Sequence, residues 1–168
     1  MIKLLIFILL YSSPYYSHSA EIFQFKGKLA PISEQTYQLV VKGDNKHTSF
    51  TLNDLEKLTL YKTNFKTKWG LEGEFVGVKL LELLKHAGIS SFKRLLVRAS
   101  NDYKTTIEHS DLGIETTLVA TRLNGIPFNL SDKGPFFIIW PSLSEQVLSG
   151  DVSTTKWAWS TIEIQKIR

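Results

Sequence analysis

The sequence predicts a single α+β domain, and three observations predict it. Short stretches of alternating apolar and polar residues recur along the chain. One helical stripe stands out among them, and the two kinds of element do not follow each other in regular βαβ units. There is also no cysteine anywhere in the 168 residues. That absence removes thiolate metal sites, iron–sulfur clusters, cysteine nucleophiles and redox pairs together. The expectation is a domain that binds something, not one that runs cysteine or metal-cluster chemistry.

The first twenty residues differ from the rest. Lys3 gives a positive start, Leu4 to Tyr11 form an unbroken apolar run, and Ser12, Ser13 and Pro14 end it. Small residues follow at Ser17, Ser19 and Ala20. This order is that of a secretory leader, residues 1–20. The apolar run is far shorter than the roughly 20 residues a membrane-spanning helix needs. Cleavage after Ser19 satisfies the small-x-small rule through Ser17, whereas cleavage after Ala20 places His18 three residues back; both sites stay open. An uncleaved amino-terminal anchor is the alternative. The expected location is the periplasm or the exterior, with no transmembrane segment once the leader is gone. Residues 21–168 then form one domain. A chain of that size buries roughly two thirds of its unfolded surface, so it holds a core without disulfide staples.

The elements are expected in this order. Residues 21–34 form an extended lead-in, with Pro31 and Ser33 as loop markers. Tyr37, Leu39 and Val41 alternate with polar or smaller neighbours as a strand that ends at Gly43-Asp44-Asn45. Phe50 and Leu52 make a short return strand, and Thr51 caps a helix leading into Leu55 and Leu58. Residues 59–66 alternate and are extended, and Trp69 to Gly73 is a turn. From Lys79 to Ala87 the residues Leu80, Leu81, Leu83, Leu84 and Ala87 form one apolar stripe, with Gly88 as the left-handed terminator. This helix is expected to pack on one sheet face. Leu95, Val97 and Ala99 make a strand, Asn101-Asp102 a turn, and Lys104 to Glu108 its partner strand. Residues 111–122 are expected to be partly helical. Phe136 to Trp140 reads as a buried central strand. Trp157 to Trp159 and Ile162 to Ile164 form the last strand or strand pair.

Most catalytic chemistries leave no trace. The net charge of +4, and +3 without Lys3, is carried by scattered lysines with a loose group at Lys62, Lys66 and Lys68. That describes a solvated face, not a nucleic-acid footprint. His47, His86 and His109 show no i, i+4 metal spacing, and His86 suits the negative end of the helix it closes. No Gly-x-Ser-x-Gly and no glycine-rich phosphate loop occurs. Glu72 with Glu74, or Asp102 with Glu108, are the acid pairs to consider for glycoside cleavage, though solvent-facing acids are commoner. Trp69, Trp140, Trp157 and Trp159 are many for so small a domain, and aromatic faces bind ligands at low entropic cost. Trp140 reads as core, and Trp69, in a glycine-rich loop, is the one expected to be exposed.

Three segments occur in a specific order. They are Phe75-x-Gly77-Val78-x-Leu80-x-x-Leu83-Leu84-x-x-Ala87-Gly88, Ala99-Ser100-Asn101-Asp102-Tyr103, and Ala120 to Phe128 running into Asp132-Lys133-Gly134-Pro135. With Phe50-Thr51-Leu52-x-Asp54-Leu55 upstream, the set resembles the molybdopterin-binding domain of the sulfite oxidase class, and more closely its small stand-alone exported relatives. The resemblance covers about residues 37–164. It implies a sulfite-oxidase-type fold: mixed β-sheets with a few helices. It also implies a molybdenum-ligating cysteine before the Gly-Val-x-Leu helix, yet Asn64 to Glu74 contains none, and no oxygen ligand is an obvious equivalent of a soft thiolate. The family's Gly-x-Pro-x-Arg segment supplies an arginine for the cofactor phosphate; here Gly134-Pro135-Phe136-Phe137 puts a ring there, which cannot replace bidentate donors.

The reading that follows is an exported, non-catalytic ligand-binding or protein-interaction module, sensory or accessory, on that scaffold. Its ligand-binding candidates are Trp69, Asn101, Asp102, Tyr103 and Arg122; no catalytic or metal-ligating residue is assigned. Each has a structural alternative: Asn101 and Asp102 suit a turn, and Arg122 suits a pair with Asp102 or Asp132. Arg98 and Lys133 are further anion-binding options. No cofactor is expected, and only the resemblance admits molybdopterin. The partner would be an envelope sensor, a redox protein or a small anionic ligand. The alternative is a molybdopterin-dependent oxidoreductase that holds its cofactor without a cysteine ligand.

Overall fold

Two sheets are built around one core, and most of their strands alternate buried with more exposed side chains. The computed structural model describes residues 19–32, 37–129 and 133–168. The expected leader, apart from Ser19 and Ala20, lies outside the described residues, as do Ser33 and Asp132. The first half of the chain carries strands β1 (Phe23–Gln24), β2 (Gln38–Lys42), β3 (His47–Thr51), β4 (Leu60–Lys66) and β5 (Glu72–Lys79), with helices α1 (Leu52–Glu56) and α2 (Leu80–His86). The second half carries β6 (Arg94–Ala99), β7 (Lys104–Glu108), β8 (Leu118–Leu123), β9 (Ile126–Pro127), β10 (Phe137–Ile139), α3 (Ser144–Ser149) and β11 (Thr161–Ile167). The fold is therefore mixed, mostly β, with two sheets and few helices.

The five-stranded sheet runs β3-β2-β11-β6-β7. Its neighbours are antiparallel except β11 with β2, which run parallel. Leu39, Val41, Leu95, Val97, Ile107 and Ile164 are fully buried on its inner face, while residues between them are partly or fully exposed, the pattern of a sheet with one wet face. The second sheet runs β1-β4-β5-β8-β10, all antiparallel, with β9 added to β8. Here β8 and β10 are buried on both faces. Burial on both sides erases the alternation from which strands are read. That is why residues 118–122, expected as part of a helical stretch, are in fact an inner strand; only Ile114–Thr116 turn as a short 3-10 segment. β5, for which no strand was expected, forms the adjacent centre of this sheet. Gly77 permits its close approach to β8: an added Cβ would lie 2.2 Å from the Val119 carbonyl oxygen.

Residues 137–139 are a buried strand, yet they end the sheet order instead of lying inside it. Their burial comes from the segment before β11, where Ile138 N–H donates to Ala158 O (2.8 Å) and Thr161 N–H to Phe136 O (2.9 Å). That segment is irregular, not a strand, because Ser160 takes a left-handed φ of 53°. The clearest expected helix spans Leu80–His86, with Leu80, Leu83 and Leu84 buried. Gly88, at φ 85°, ends it in a Schellman arrangement: Gly88 N–H bonds Lys85 O and Ile89 N–H bonds Leu84 O.

Thr51 caps α1 through a capping box in which its hydroxyl accepts from Asp54 N–H (3.1 Å) and the Asp54 carboxylate accepts from Thr51 N–H (3.0 Å). At the other end of this one-turn helix, Glu56 grips a guanidinium from the second sheet. Arg122 Nε and Nη2 donate to the two Glu56 oxygens at 2.7 and 2.8 Å. Nη2 also donates to Ala30 O (2.8 Å) and Nη1 to Gly125 O (3.0 Å). Arg122 is 1% exposed, so its charge is sealed inside.

Removing one partner of such a pair strands a buried charge at a cost of about 3–5 kcal/mol. Arg122→Ala and Glu56→Gln should each lower the urea midpoint and melting temperature sharply, and the double variant Glu56→Leu/Arg122→Met should recover part of the loss. Asp54 supplies a pH test. Hydrogen bonds from the Thr51 hydroxyl, then from Thr51 N–H and Lys57, hold its carboxyl at about 2, below the usual 3.8. Its contribution is therefore complete above about pH 4 and is lost as pH falls toward 2. The stability difference between the protein and Asp54→Asn, measured by denaturation from pH 6 to 2, should shrink over that window.

Candidate functional site

Three chain segments with little regular structure converge at one place. The first is the tip of the β4–β5 hairpin, closed by Thr67 N–H on Leu71 O (2.7 Å) and Leu71 N–H on Thr67 Oγ1 (3.1 Å), with Gly70 at φ 83°. This turn holds out Trp69. The second is the β6–β7 turn, where Ala99 N–H bonds Tyr103 O (2.9 Å), Asn101 Oδ1 accepts from Tyr103 N–H (3.3 Å) and Asp102 takes φ 64°. An asparagine side chain folding back on its own turn, followed by a left-handed aspartate, is the chemistry those residues favour. The third is the stretch from α3 to β11. There Trp157 N–H donates to Thr154 O (2.9 Å) and Tyr103 Oη donates to Thr155 O (2.5 Å), so the second and third segments are tied together.

Between them lies a cavity of about 220 Å³ lined by Trp69, Asn101, Tyr103, Thr154, Thr155, Trp157 and Trp159. Its aromatic wall continues into the core. Trp69 stands edge-on to Trp159 (centroids 4.9 Å apart, planes at 79°) and to Phe137 (5.9 Å), and lies 6.1 Å from Trp157. The Lys133 ammonium sits 4.5 Å from the Trp159 ring centre and 5.5 Å from that of Trp69, where the ring quadrupoles attract it. A second cavity of about 220 Å³ shares Thr155 and Trp157 with the first and is lined mainly by Leu112, Trp140, Leu143 and Val152. A third, of about 390 Å³, lies between residues 27–31 and α1, and Glu56 in its wall is already held by Arg122.

Of the five expected ligand residues, the structure brings together Trp69, Asn101 and Tyr103. Asp102 shapes the turn beside them without lining the cavity. Arg122 is elsewhere and is corrected: four of its five donors are spent on Glu56, Ala30 and Gly125, and its carboxylate partner is Glu56, not Asp102. Arg98 lies beside Glu163, 3.0 Å away, without its Nε–H aligned for a hydrogen bond. Trp69 is half-buried, Trp140 and Trp157 are core, and Trp159 is half-buried. Trp157 and Trp159, expected in a strand, lie in an irregular segment, and Thr154 and Thr155 beside them were not among the expected ligand residues. The signal available was the run Ser153-Thr154-Thr155 directly before Trp157-Ala158-Trp159.

The remaining chemical options disperse. Glu72 pairs with Lys66 (3.3 Å) and Glu74 with Lys62 (2.8 Å), which makes cross-strand ion pairs on the β4–β5 hairpin. Asp102 and Glu108 lie at opposite ends of β7. His47, His86 and His109 are exposed on separate elements, and His109 packs edge-on to Phe92. Among the described residues no group of three or more His, Cys, Asp or Glu is placed to hold a metal, and no helix is long and apolar enough to cross a membrane.

The Tyr103 hydroxyl fastens the loop over residues 151–156. Tyr103→Phe removes one hydrogen bond, worth about 0.5–1.5 kcal/mol. It should leave the fold intact while amide exchange of Val152 and Trp157 quickens severalfold; unchanged exchange would show that the loop is held by other contacts. Neither a scan against protein-family models nor a search of curated proteins gives a match for this chain.

Proposed function

We propose that the protein is an exported, non-catalytic binding module of the periplasm or cell exterior, built on a molybdopterin-domain-type scaffold, and that it captures its ligand between the β4–β5 tip and the β6–β7 turn. The observation that carries this reading is the convergence there of exposed or half-buried aromatic rings with amide and hydroxyl groups: Trp69, Tyr103 and Trp159 with Asn101, Thr154 and Thr155. Concave sites of this make-up, mostly aromatic with a few placed polar groups, are what ligand pockets generally look like. A captured ligand would be passed on as a signal to an envelope sensor or a redox protein.

The scaffold assignment is supported by where the matching segments fall. Phe75 to Gly88 runs from β5 through α2, Ala99 to Tyr103 forms the β6–β7 turn, and Ala120 to Phe128 covers β8 and β9. The same segments argue against molybdopterin as cargo. The stretch Asn64 to Glu74, where a thiolate would be needed, is a hairpin whose tip gives Trp69 to ring packing. Phe137, standing where a phosphate-holding arginine belongs, is fully buried among Trp69, Trp157, Trp159 and Phe128. Arg122 has its carboxylate partner already. The residues present do not fit the cofactor, and the oxidoreductase alternative rests on resemblance alone. A superfold often hosts a function unrelated to its relatives' chemistry.

Metal analysis and pterin fluorescence on protein taken untreated from its native envelope fraction test this. The expected result is neither molybdenum nor pterin in stoichiometric amount; molybdenum near one per chain would overturn the proposal.

A further inference from the structure

We infer that the Trp69–Tyr103–Trp159 cavity is a saccharide site that takes one pyranose ring; this rests on the binding reading of that cavity and names its ligand class. Three features point there together. First, its lining residues carry no charge: three indoles, a phenol, an amide and two threonines. The Lys133 ammonium is held against the Trp159 and Trp69 rings, 4.5 and 5.5 Å from their centres, and is not itself among the lining residues. A ligand selected by such walls is neutral, because a buried anion without a paired cation is strongly disfavoured.

Second, the rings meet as a corner. Trp69 and Trp159 are 79° apart with centroids at 4.9 Å. A flat heteroaromatic ligand held on both faces needs two parallel rings with about 7 Å between them, twice the carbon–carbon contact distance. A corner instead offers a face to one side of a ligand and an edge to the next, which suits a puckered ring with an apolar C–H face and a polar rim. Third, polar groups are left over at that rim. Asn101 Oδ1 is used by the turn, but Asn101 Nδ2 and Thr154 Oγ1 have no protein partner among the described residues. They supply one amide donor and one hydroxyl, the complement of sugar hydroxyls. The volume of about 220 Å³ is below the roughly 300 Å³ at which drug-sized sites begin, and suits one six-membered ring.

The test is titration of the purified protein with methyl glucosides and methyl N-acetylglucosaminide, read by tryptophan fluorescence and calorimetry. In parallel, retention on insoluble cellulose, chitin and peptidoglycan separates free sugar from a polymer end as the source. Expected is saturable binding with a dissociation constant on the order of a millimolar, as for a ligand of about a dozen heavy atoms, or retention on one polymer. Trp69→Ala should weaken it roughly tenfold. Asn101→Ala, an exposed change that spares ring packing and removes one turn hydrogen bond, should weaken it severalfold while the melting temperature falls by no more than about 4 °C. Binding should be unchanged between low salt and about 0.5 M salt, where a charged ligand would be screened. Response to adenosine or inorganic phosphate but to no saccharide, lost in the same variants, would overturn the sugar assignment and leave the binding reading standing. No response to any probe or polymer, together with no partner captured from the envelope through Asn101 and Trp69, would overturn both.

Discussion

A buried guanidinium holds this molecule together. Arg122 projects from an inner strand into a space where water cannot solvate it, so every nearby acceptor is recruited. The carboxylate of Glu56 comes from the end of α1, one carbonyl from the amino-terminal lead-in and another from the β8–β9 turn. Three parts of the chain that are distant in sequence, the lead-in, α1 and the β8–β9 hairpin, are fixed by one planar fork. The capping box at Thr51 belongs to the same device, because it sets the start of a helix so short that its start determines where Glu56 points. Desolvation makes the pair demanding and not simply stabilising. It specifies which elements meet, and the apolar core fills in around that choice.

With the guanidinium drawn to α1, the region of Phe137 and the β4–β5 tip is left to ring packing. Phe65, Phe75, Phe128, Phe137, Trp69, Trp157 and Trp159 form a connected aromatic cluster that reaches from the core to the surface. Because aromatic pairs favour edge-to-face geometry, the cluster ends in rings set at steep angles to each other, and the cavity is the notch they leave. Shape and polarity at the site thus descend from core packing, with the turn residues Asn101 and Tyr103 and the loop residues Thr154 and Thr155 forming its rim.

Much of the fold was legible because local chemistry and tertiary structure agree. Thr51, Gly88 and Asn101-Asp102 each announce a cap, a terminator or a turn through a preference that the structure keeps. β2, β6 and β7 were readable because one face of their sheet is wet and the alternation survives. β8 was not, since Leu118 to Arg122 is buried on both sides and an arginine there looks like a surface residue. β5 was hidden because its first residues, Glu72 and Gly73, read as part of a turn, while Gly77 within it serves the close contact with β8. At the candidate site, Trp69 stood out as an aromatic residue in a glycine-rich turn, and Asn101 and Tyr103 as polar parts of the segments that carry the resemblance. Arg122 was chosen as a polar residue of the matched segments, and nothing local shows that its charge is met by a carboxylate 66 positions away. Thr154 and Thr155 are marked only by their place in the polar run before Trp157-Ala158-Trp159.

The placement of β11 bears on how the chain can come together. It follows every other strand in sequence, yet it occupies the middle of the five-stranded sheet, parallel to β2 on one side and antiparallel to β6 on the other. Until those seven residues leave the ribosome, the hairpins β2–β3 and β6–β7 have no common partner, and half the scaffold stays open. Closing this sheet therefore depends on pairing residues as far apart in sequence as Val40 and Glu163, the kind of non-local contact that slows folding.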